Sequence, residues 1–267
     1  MKRVPNATHP LRVLVTRPAP DAGHWVDELQ ARGIAASALP LIDIAPTEIP
    51  SEALSKARCA CATPGHYRAV MFVSGNAVSH FFAPGVRLAP GTRAWSPGPG
   101  TARTLQAAGV PTAQIDGPRP DATQFDSEAL WPEVRAQIQS GDRVLLVRGG
   151  SGASGSGREW LAEQLRRAGA TLEFVAVYER HAPQLAPTAL ALAREAAHDG
   201  TLWLFSSSEA ISNLQRALPG TDWSQARALA THPRIAAAAQ QAGFGHVQQC
   251  RPSLSEVAAS IESAHEH

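Results

Sequence analysis

The sequence predicts an α/β protein of two similar domains, each with a parallel sheet flanked by helices. The chain has 267 residues, which is longer than one typical domain, and 44% of them are hydrophobic. Segments of the first half return in the same order in the second half, and each passes from a short apolar run through a tight loop into an amphipathic stretch. Strands that alternate with helices in this way form parallel sheets covered by helices, so the duplication predicts two such domains.

The duplication rests on three blocks that recur at a spacing of about 130 residues. The paired blocks are residues 12–17 and 143–148, residues 72–78 and 205–211, and residues 101–110 and 235–244. Three matches in a fixed order indicate two copies of one fold.

The first strand–helix unit has a start and a stop signal. Val13, Leu14 and Val15 form a short apolar run, rich in β-branched residues, of the kind that is buried in parallel sheets. Asp21 is the predicted N-cap of the following helix, Trp25 and Leu29 form its apolar stripe, and Gly33 ends it. The equivalent helix of the second copy is predicted to begin only near Arg158, with Trp160, Leu161 and Leu165 as its stripe and Gly169 as its stop.

Later segments follow the same pattern. Ser206 and Glu209 resemble a capping box that opens a helix. Residues 40–44 and 174–178 are extended stretches at equivalent places in the two copies, and the proline-rich residues 84–99 and 111–120 are predicted to be loops.

Composition narrows the class of partner and the compartment. The formal net charge is +1, which gives no support to a nucleic-acid or anionic-membrane partner attracted by bulk charge. Three cysteines form no complete disulfide set, and the first residues lack the apolar core of a signal peptide. Because no apolar run approaches the roughly 20 residues of a membrane helix, we expect a cytoplasmic protein.

Small, hydroxylic and cationic residues follow the apolar runs of both copies. Ligands gather at the carboxyl ends of parallel strands, where helix N-termini offer free N–H groups to carboxylates or phosphates. These positions are Thr16, Arg17, residues 74–76, residues 98–101, residues 148–150 and residues 206–208. The alternative interpretation is that the hydroxyl groups only cap helices.

Other chemistries have weaker signals. Residues 150–155 fit the G-x-G-x-x-G dinucleotide fingerprint with Glu179 as a possible ribose acid, but the glycine–serine string continues to Gly157 before the helix begins. No lysine completes a phosphate-binding loop, Cys59 and Cys61 have the wrong spacing for a metal site, and Ser74 lacks a nucleophile elbow. We therefore expect no metal site, while a dinucleotide-dependent enzyme stays open as an alternative.

An ordered set of motifs resembles the uroporphyrinogen-III synthase family across residues 11–258. The opening V-L-V-T-R-P at 13–18 and the F-V-S-G-N-A-V at 72–78 are similar to motifs of that family. The others are residues 39–44, 98–102, 146–149 with Arg158, 177–180, 205–211, and 232–236 with 243–244. Two departures are Val73, where the family has threonine, and residues 233–236, where a second G-x-x-T-A motif has changed.

The resemblance implies a cleft between two domains that are joined by a two-stranded connection. The first domain would comprise residues 1–39 and 181–267, and the second would comprise residues 40–180. Tyr178 would stand at the mouth of the cleft, although a tyrosine ring that merely packs would look the same in the sequence.

The resemblance also implies the reaction. The substrate would be hydroxymethylbilane, a small molecule with eight carboxylates, which is closed to uroporphyrinogen III with loss of water and inversion of the last ring, without a cofactor. Because nothing in the sequence suggests a strong oligomer interface, we expect a monomer. Tyr178 would assist departure of the hydroxyl group. The residues implied to bind the substrate are Thr16, Arg17, Ser74, Asn76, Thr101, Arg148, Gly149, Arg158, Ser206 and Ser207. The alternative class is a non-catalytic two-domain binding module for an anionic small molecule.

Overall fold

The computed structural model describes residues 11–47, 52–150 and 156–265, and these residues form two compact units. One unit is built from the chain up to Asp43 and from Ala182 onward, and the other from Ile44 to His181. The boundaries expected from the sequence are 39/40 and 180/181, so the chain changes units slightly later in both places than we expected.

The strands alternate with helices along the described chain. The strands are β1 (Val13–Val15), β2 (Ala36–Ala38), β3 (Asp43–Pro46), β4 (Ala69–Phe72), β5 (Arg93–Trp95), β6 (Ile115–Asp116), β7 (Arg143–Gly149), β8 (Thr171–His181), β9 (Leu202–Phe205), β10 (Arg227–Ala230) and β11 (His246–Gln249). The helices are α1 (Ala19–Gln30), α2 (Glu52–Cys61), α3 (Gly75–Phe81), α4 (Pro99–Ala107), α5 (Ser127–Val134), α6 (Ser156–Arg167), α7 (Pro187–Ala196), α8 (Ser208–Ala217), α9 (Pro233–Gln241) and α10 (Leu254–His265).

The first unit contains a parallel sheet in the order β11-β10-β9-β1-β2. Strand β1 lies between β9 and β2, where Val15 pairs with Ala38 on one side and with Leu204 on the other. All residues of β1 and β9 are buried because helices cover both faces, as the continuous apolar runs predicted.

The second unit contains a sheet in the order β3-β8-β7-β4-β5-β6, in which β8 to β6 are parallel. If β7 is matched to β1 and β4 to β9, as the repeated sequence blocks require, both sheets have the same strand order apart from the added β3. The predicted fold class, α/β with two similar domains and helix-flanked parallel sheets, is confirmed.

Each unit has its own apolar core. In the first unit, Trp25 and Leu29 of α1 pack with β1, β2, β9 and α10, as the apolar stripe predicted. In the second unit, one core lies between the sheet and helices α2, α3 and α4, and a further core lies against α5 and α6. The strand ends are therefore held by packing on both sheet faces.

Two predicted helix caps are wrong, one by three residues and the other by one. Pro18, not Asp21, is the N-cap of α1, and Asp21 lies in the first turn, where its carboxylate pairs with Arg17 at 2.7 Å. Ser207, not Ser206, is the N-cap of α8, because β9 ends at Phe205 and the chain needs one more residue to turn. The predicted stop at Gly33 is confirmed by its φ of +80°, a left-handed conformation that favours glycine.

Tyr67, Glu173 and Arg143 form a partly buried polar cluster at the amino end of the second sheet. The Tyr67 hydroxyl donates to Glu173 at 2.6 Å, and Arg143 also pairs with this carboxylate. Burial by itself raises the pKa of Glu173, but the hydrogen bonds from Tyr67 and Arg143 outweigh it and hold the pKa below its usual value.

We expect Tyr67→Phe to lower the free energy of unfolding by about 1 kcal/mol at pH 7, because a hydrogen bond to a partly solvent-screened carboxylate is lost. A lowered carboxyl pKa contributes stability above the unfolded pKa of about 4.3, and this is lost as pH falls through the folded value. Urea denaturation of both proteins should therefore show a difference that narrows below about pH 4. A difference that stays the same above and below that pH would contradict the assignment.

Candidate active site

In both units, most of the predicted site residues lie where two central strands end and the chain turns into helices. In each sheet, one central strand (β1 or β7) lies between the strand that follows it in the chain (β2 or β8) and a third strand (β9 or β4). The crevice between the central strand and the third strand is the switch point where ligands bind in sheets of this order. In the first unit this point lies between β1 and β9, and in the second between β7 and β4. Each unit thus brings its own copy of the repeated loops to its own switch point.

The second unit places Tyr178 beside Ser74. The two hydroxyl oxygens are 3.2 Å apart, and the guanidinium of Arg180 donates to the Tyr178 hydroxyl at 3.3 Å. Ser74 is also the N-cap of α3, where its Oγ accepts a hydrogen bond from the Ala77 N–H at 3.2 Å. Ser74 is partly exposed, whereas Tyr178 is 0% exposed.

This burial differs from the position that we expected for Tyr178 at the mouth of a cleft. The physical reason is an irregularity in the pairing of β7 with β8: Arg148 faces Ala176, but the next residue, Gly149, faces Tyr178. The extra residue Val177 turns the Tyr178 side chain onto the face covered by α3, which is the usual effect of a β-bulge.

Gly149 is in contact with the Tyr178 ring. A Cβ atom on Gly149 would lie 2.7 Å from Cε2 and 2.9 Å from Cζ of Tyr178, which is too close for any real contact. Gly149 therefore leaves the space that the ring occupies, in addition to its predicted place in a substrate-binding loop.

His80 closes another side of the Tyr178 ring. The two ring centroids are 5.7 Å apart, and burial lowers the pKa of His80 below its ordinary value. An uncharged imidazole therefore packs beside the tyrosine at neutral pH.

The other predicted residues of the second unit are more dispersed. Asn76 is partly exposed in the first turn of α3, and Thr101 is only 7% exposed in the first turn of α4. Arg148 is exposed and its guanidinium lies over the ring of Phe174, with Cζ 5.3 Å from the centroid. Arg158 belongs to α6, but its side chain lies outside the described residues.

In the first unit, the hydroxyl of Thr16 donates its hydrogen bond within the protein. It donates to the carbonyl of Leu204 at 2.8 Å, and Thr16 is 1% exposed, so it joins β1 to β9 instead of facing a ligand. The prediction that Thr16 donates to the substrate is therefore not supported by this geometry, because its one hydrogen is spent inside the sheet.

Arg17 and Ser206 lie side by side just beyond the first sheet. Val15 pairs with Leu204, Arg17 follows Val15 by two positions, and Ser206 follows Leu204 by two positions. Arg17 lies over the ring of Trp25, with Cζ 4.1 Å from the centroid. Among the described residues, Arg17 Nε and Ser206 Oγ are buried without a hydrogen-bond partner. Buried polar atoms left in this way are uncommon and suit a site that receives a ligand.

Ser207 matches Ser74 in the second copy. Its Oγ accepts from the Glu209 N–H at 3.2 Å and so caps α8, as Ser74 caps α3. Ser74 and Ser207 therefore both cap helices, and each oxygen also lies at the positive end of a helix.

Sequence reasoning assigned no catalytic or binding role to Arg180, and it expected only a surface or packing role for His80. Arg180 follows Tyr178 by two residues in β8, and residues two apart on a strand share a face, so this spacing was a usable signal. His80 carries no such signal, because only the packing of α3 on the sheet brings it to Tyr178.

The dinucleotide alternative falls on residues 150–155, of which all but Gly150 lie outside the described residues. The Gly150 N–H donates to the carbonyl of Tyr178 at 2.6 Å, so this group is spent in the protein. In the described part of the chain, no His, Cys, Asp and Glu side chains are grouped so as to hold a metal ion, and no helix is long and apolar enough to cross a membrane.

Two sheets of the same strand order, each with hydroxylic and cationic groups at its switch point, define a two-domain α/β protein suited to an anionic ligand. A family model described as "Uroporphyrinogen-III synthase HemD" matches residues 23–258. The uroporphyrinogen-III synthase of Synechococcus elongatus is 30% identical over 220 residues, which cover 79% of this chain and 77% of that protein. The chain belongs to the uroporphyrinogen-III synthase family.

Solved structures support the same fold. A mutant uroporphyrinogen III synthase from the extremely thermophilic bacterium Thermus thermophilus has a TM-score of 0.53 at 15% identity, and the match covers 96% of this chain and 97% of that one. The uroporphyrinogen-III synthetase from Helicobacter pylori has a TM-score of 0.53 at 16% identity, with 95% and 99% covered.

Proposed function

We propose that this chain is a uroporphyrinogen-III synthase, a cyclising lyase of tetrapyrrole biosynthesis. It closes hydroxymethylbilane to uroporphyrinogen III with loss of water and inversion of the last pyrrole ring. Membership of the family carries this proposal, and the hydroxylic and cationic loops at both switch points support it.

The substrate explains why the loops have this composition. Its carboxylates require several N–H and O–H donors, and charge-assisted hydrogen bonds of this kind are the strong ones. The substrate-binding residues are proposed to be Arg17, Ser74, Asn76, Thr101, Arg148, Gly149, Arg158, Ser206 and Ser207. The buried Arg17 Nε and Ser206 Oγ, which have no partner among the described residues, support this assignment in the first unit.

The protein's contribution to the chemistry is mainly positioning. Hydroxymethylbilane also closes spontaneously to the non-inverted isomer. The enzyme must therefore both assist departure of the hydroxyl group and hold the bilane in a conformation that allows attack at the substituted ring position. Stabilisation of the cationic azafulvene and of the spiro intermediate would then be stronger than stabilisation of the bilane itself.

The experiment that tests the function is a separation of the products formed from freshly generated hydroxymethylbilane. An excess of the type III isomer is the expected result. Type I alone would contradict the function and would leave a non-catalytic binding module for an anionic ligand. We further propose that the protein acts as a cytoplasmic monomer without a cofactor.

Tyr178 is proposed to protonate or hydrogen-bond the departing hydroxyl group, directly or through water. We expect Tyr178→Phe to lower the rate of type III formation by about 100-fold, the usual contribution of a general acid. The measurement is a single-turnover assay that counts only the type III isomer, because type I also forms without the enzyme.

The chain offers a matched control, because Tyr67 is the other of its two tyrosines and lies at the opposite end of the second sheet. Tyr67→Phe removes the same atom and should keep the wild-type rate. A near-normal rate for Tyr178→Phe would remove this tyrosine from the mechanism.

A further inference from the structure

The hydroxyl groups of Tyr178 and Ser74 form one directed hydrogen-bond chain with Arg180. We infer that Ser74 is the catalytic residue that donates to the departing hydroxyl group, and that Tyr178 and Arg180 are positioning residues that act through it. This inference rests on the cyclisation proposed above and names the bridging group that a buried tyrosine requires.

Arg180 determines which group donates in each hydrogen bond of this hydrogen-bond chain. A guanidinium only donates, so the Arg180 N–H that lies 3.3 Å from the Tyr178 oxygen fills an acceptor position of that oxygen. The Tyr178 side chain is 0% exposed, and its hydroxyl has no partner other than Arg180 and Ser74 among the described residues. The Tyr178 hydrogen must therefore be donated to Ser74, because a buried hydroxyl hydrogen without an acceptor is strongly unfavourable.

Both lone pairs of the Ser74 oxygen then accept hydrogen bonds. It receives one hydrogen bond from Tyr178 at 3.2 Å and one from the Ala77 N–H at 3.2 Å. A serine hydroxyl has two lone pairs and one hydrogen, so both lone pairs are occupied and the hydrogen is left over. Within the described residues no acceptor takes it, and Ser74 is partly exposed, so this hydrogen is available to a ligand.

The hydrogen bonds from Arg180 through Tyr178 to Ser74 allow this relay of hydroxyl groups to pass a proton to the substrate. Ser74 gives its hydrogen to the hydroxyl oxygen of the substrate as the carbon–oxygen bond breaks, and the electron pair of that bond leaves with the water. Tyr178 gives its hydrogen to the Ser74 oxygen in the same step, and the negative charge left on Tyr178 faces the Arg180 guanidinium. The proton that the substrate releases when the last pyrrole ring regains its aromatic form restores Tyr178.

The test is a double-variant cycle on the single-turnover rate of type III formation. We expect Ser74→Ala and Tyr178→Phe each to lower this rate by about 100-fold, and the double variant to be little slower than either, since residues that act as one unit are not additive. A rate for Ser74→Ala close to wild type, or a double variant slower by about 10,000-fold, would overturn the relay.

Ser253 provides the control for loss of a helix cap. Its Oγ accepts from the Glu256 N–H, three residues on, as the Ser74 Oγ accepts from Ala77, but it lies at the start of α10. Ser253→Ala should therefore unfold at a lower urea concentration than the wild type, because a helix cap is lost, and keep the wild-type rate. Ser74→Thr keeps both the cap and the hydroxyl and should restore most of the rate.

A measurement in mixtures of light and heavy water separates a relay from a structural role. Two hydrogens move together in the wild-type step, so the rate should fall along a curve as deuterium increases. In Tyr178→Phe only the Ser74 hydrogen moves, and the dependence should become linear. A linear dependence in the wild type would refute the relay even if Ser74→Ala does not fold.

Failure of the relay is distinguishable from failure of the proposed function. Wild-type protein that makes the type III isomer, with independent losses in the two single variants, would overturn the relay alone. Wild-type protein that makes only the type I isomer would overturn the proposed function.

Discussion

Gly149→Ala is expected to lower the rate of type III formation by about 100-fold, as much as Tyr178→Phe, because it displaces Tyr178 without removing any polar group. The added Cβ would lie 2.7 Å from Cε2 and 2.9 Å from Cζ of the ring. The ring is enclosed by the sheet, His80 and α3, so it has no open side to move into. A shift of about 1 Å would break the hydrogen bond to Ser74 and with it the supply of a proton.

The same change should also lower the free energy of unfolding by about 1–3 kcal/mol, as overpacking in a closed core does. The measurement is therefore the single-turnover rate at a temperature where the far-UV circular dichroism of both proteins is native. Gly23→Ala is the matched control, since an alanine Cβ there meets nothing within 4 Å. Wild-type activity in Gly149→Ala would show that the ring position does not govern the rate.

Gly245→Ala is expected to have the largest effect on stability, a loss of about 3 kcal/mol or more. A Cβ at this position would lie 1.8 Å from the carbonyl oxygen and 2.8 Å from the carbonyl carbon of Ser224, and backbone atoms do not rotate away as a side chain does. The two segments must stay close because the Gly245 N–H donates to the carbonyl of Trp223 at 3.1 Å.

Relief of this clash would disturb an aromatic cluster. Trp223 and Phe244, the neighbours of the two clashing residues, are stacked with centroids 5.1 Å apart, and Trp203 meets Trp223 edge-on at 5.6 Å. Urea denaturation of Gly245→Ala against the wild type measures the loss. Equal midpoints in the two proteins would show that the Ser224 segment moves without cost.

The sequence predicted the repeated strand–loop–helix units well because their signals are local. Buried strands require continuous apolar runs, and helices require an apolar stripe, so the elements around Trp25 and Leu29 could be placed from spacing alone. Caps were less certain because neighbouring hydroxyl groups compete. Ser206 and Ser207 are both suitable, and the end of β9 at Phe205 decides between them.

The polar contacts of the site could not be predicted from the sequence. The hydroxyl of Thr16 is bound by Leu204, and the Tyr178 hydroxyl meets Ser74, a residue 104 positions earlier in the chain. The bulge in β8 that buries Tyr178 has no glycine or proline to announce it.

By itself, therefore, the sequence determined that this chain is two copies of one α/β unit with hydroxyl and guanidinium groups at the strand ends, and its motifs indicated the family. The tertiary structure alone decided which of those groups are spent inside the protein and which keep a hydrogen for a ligand. The physical reason is that strand and helix propensity act between near neighbours, whereas the partner of a buried hydroxyl is set by strands that meet from distant parts of the chain.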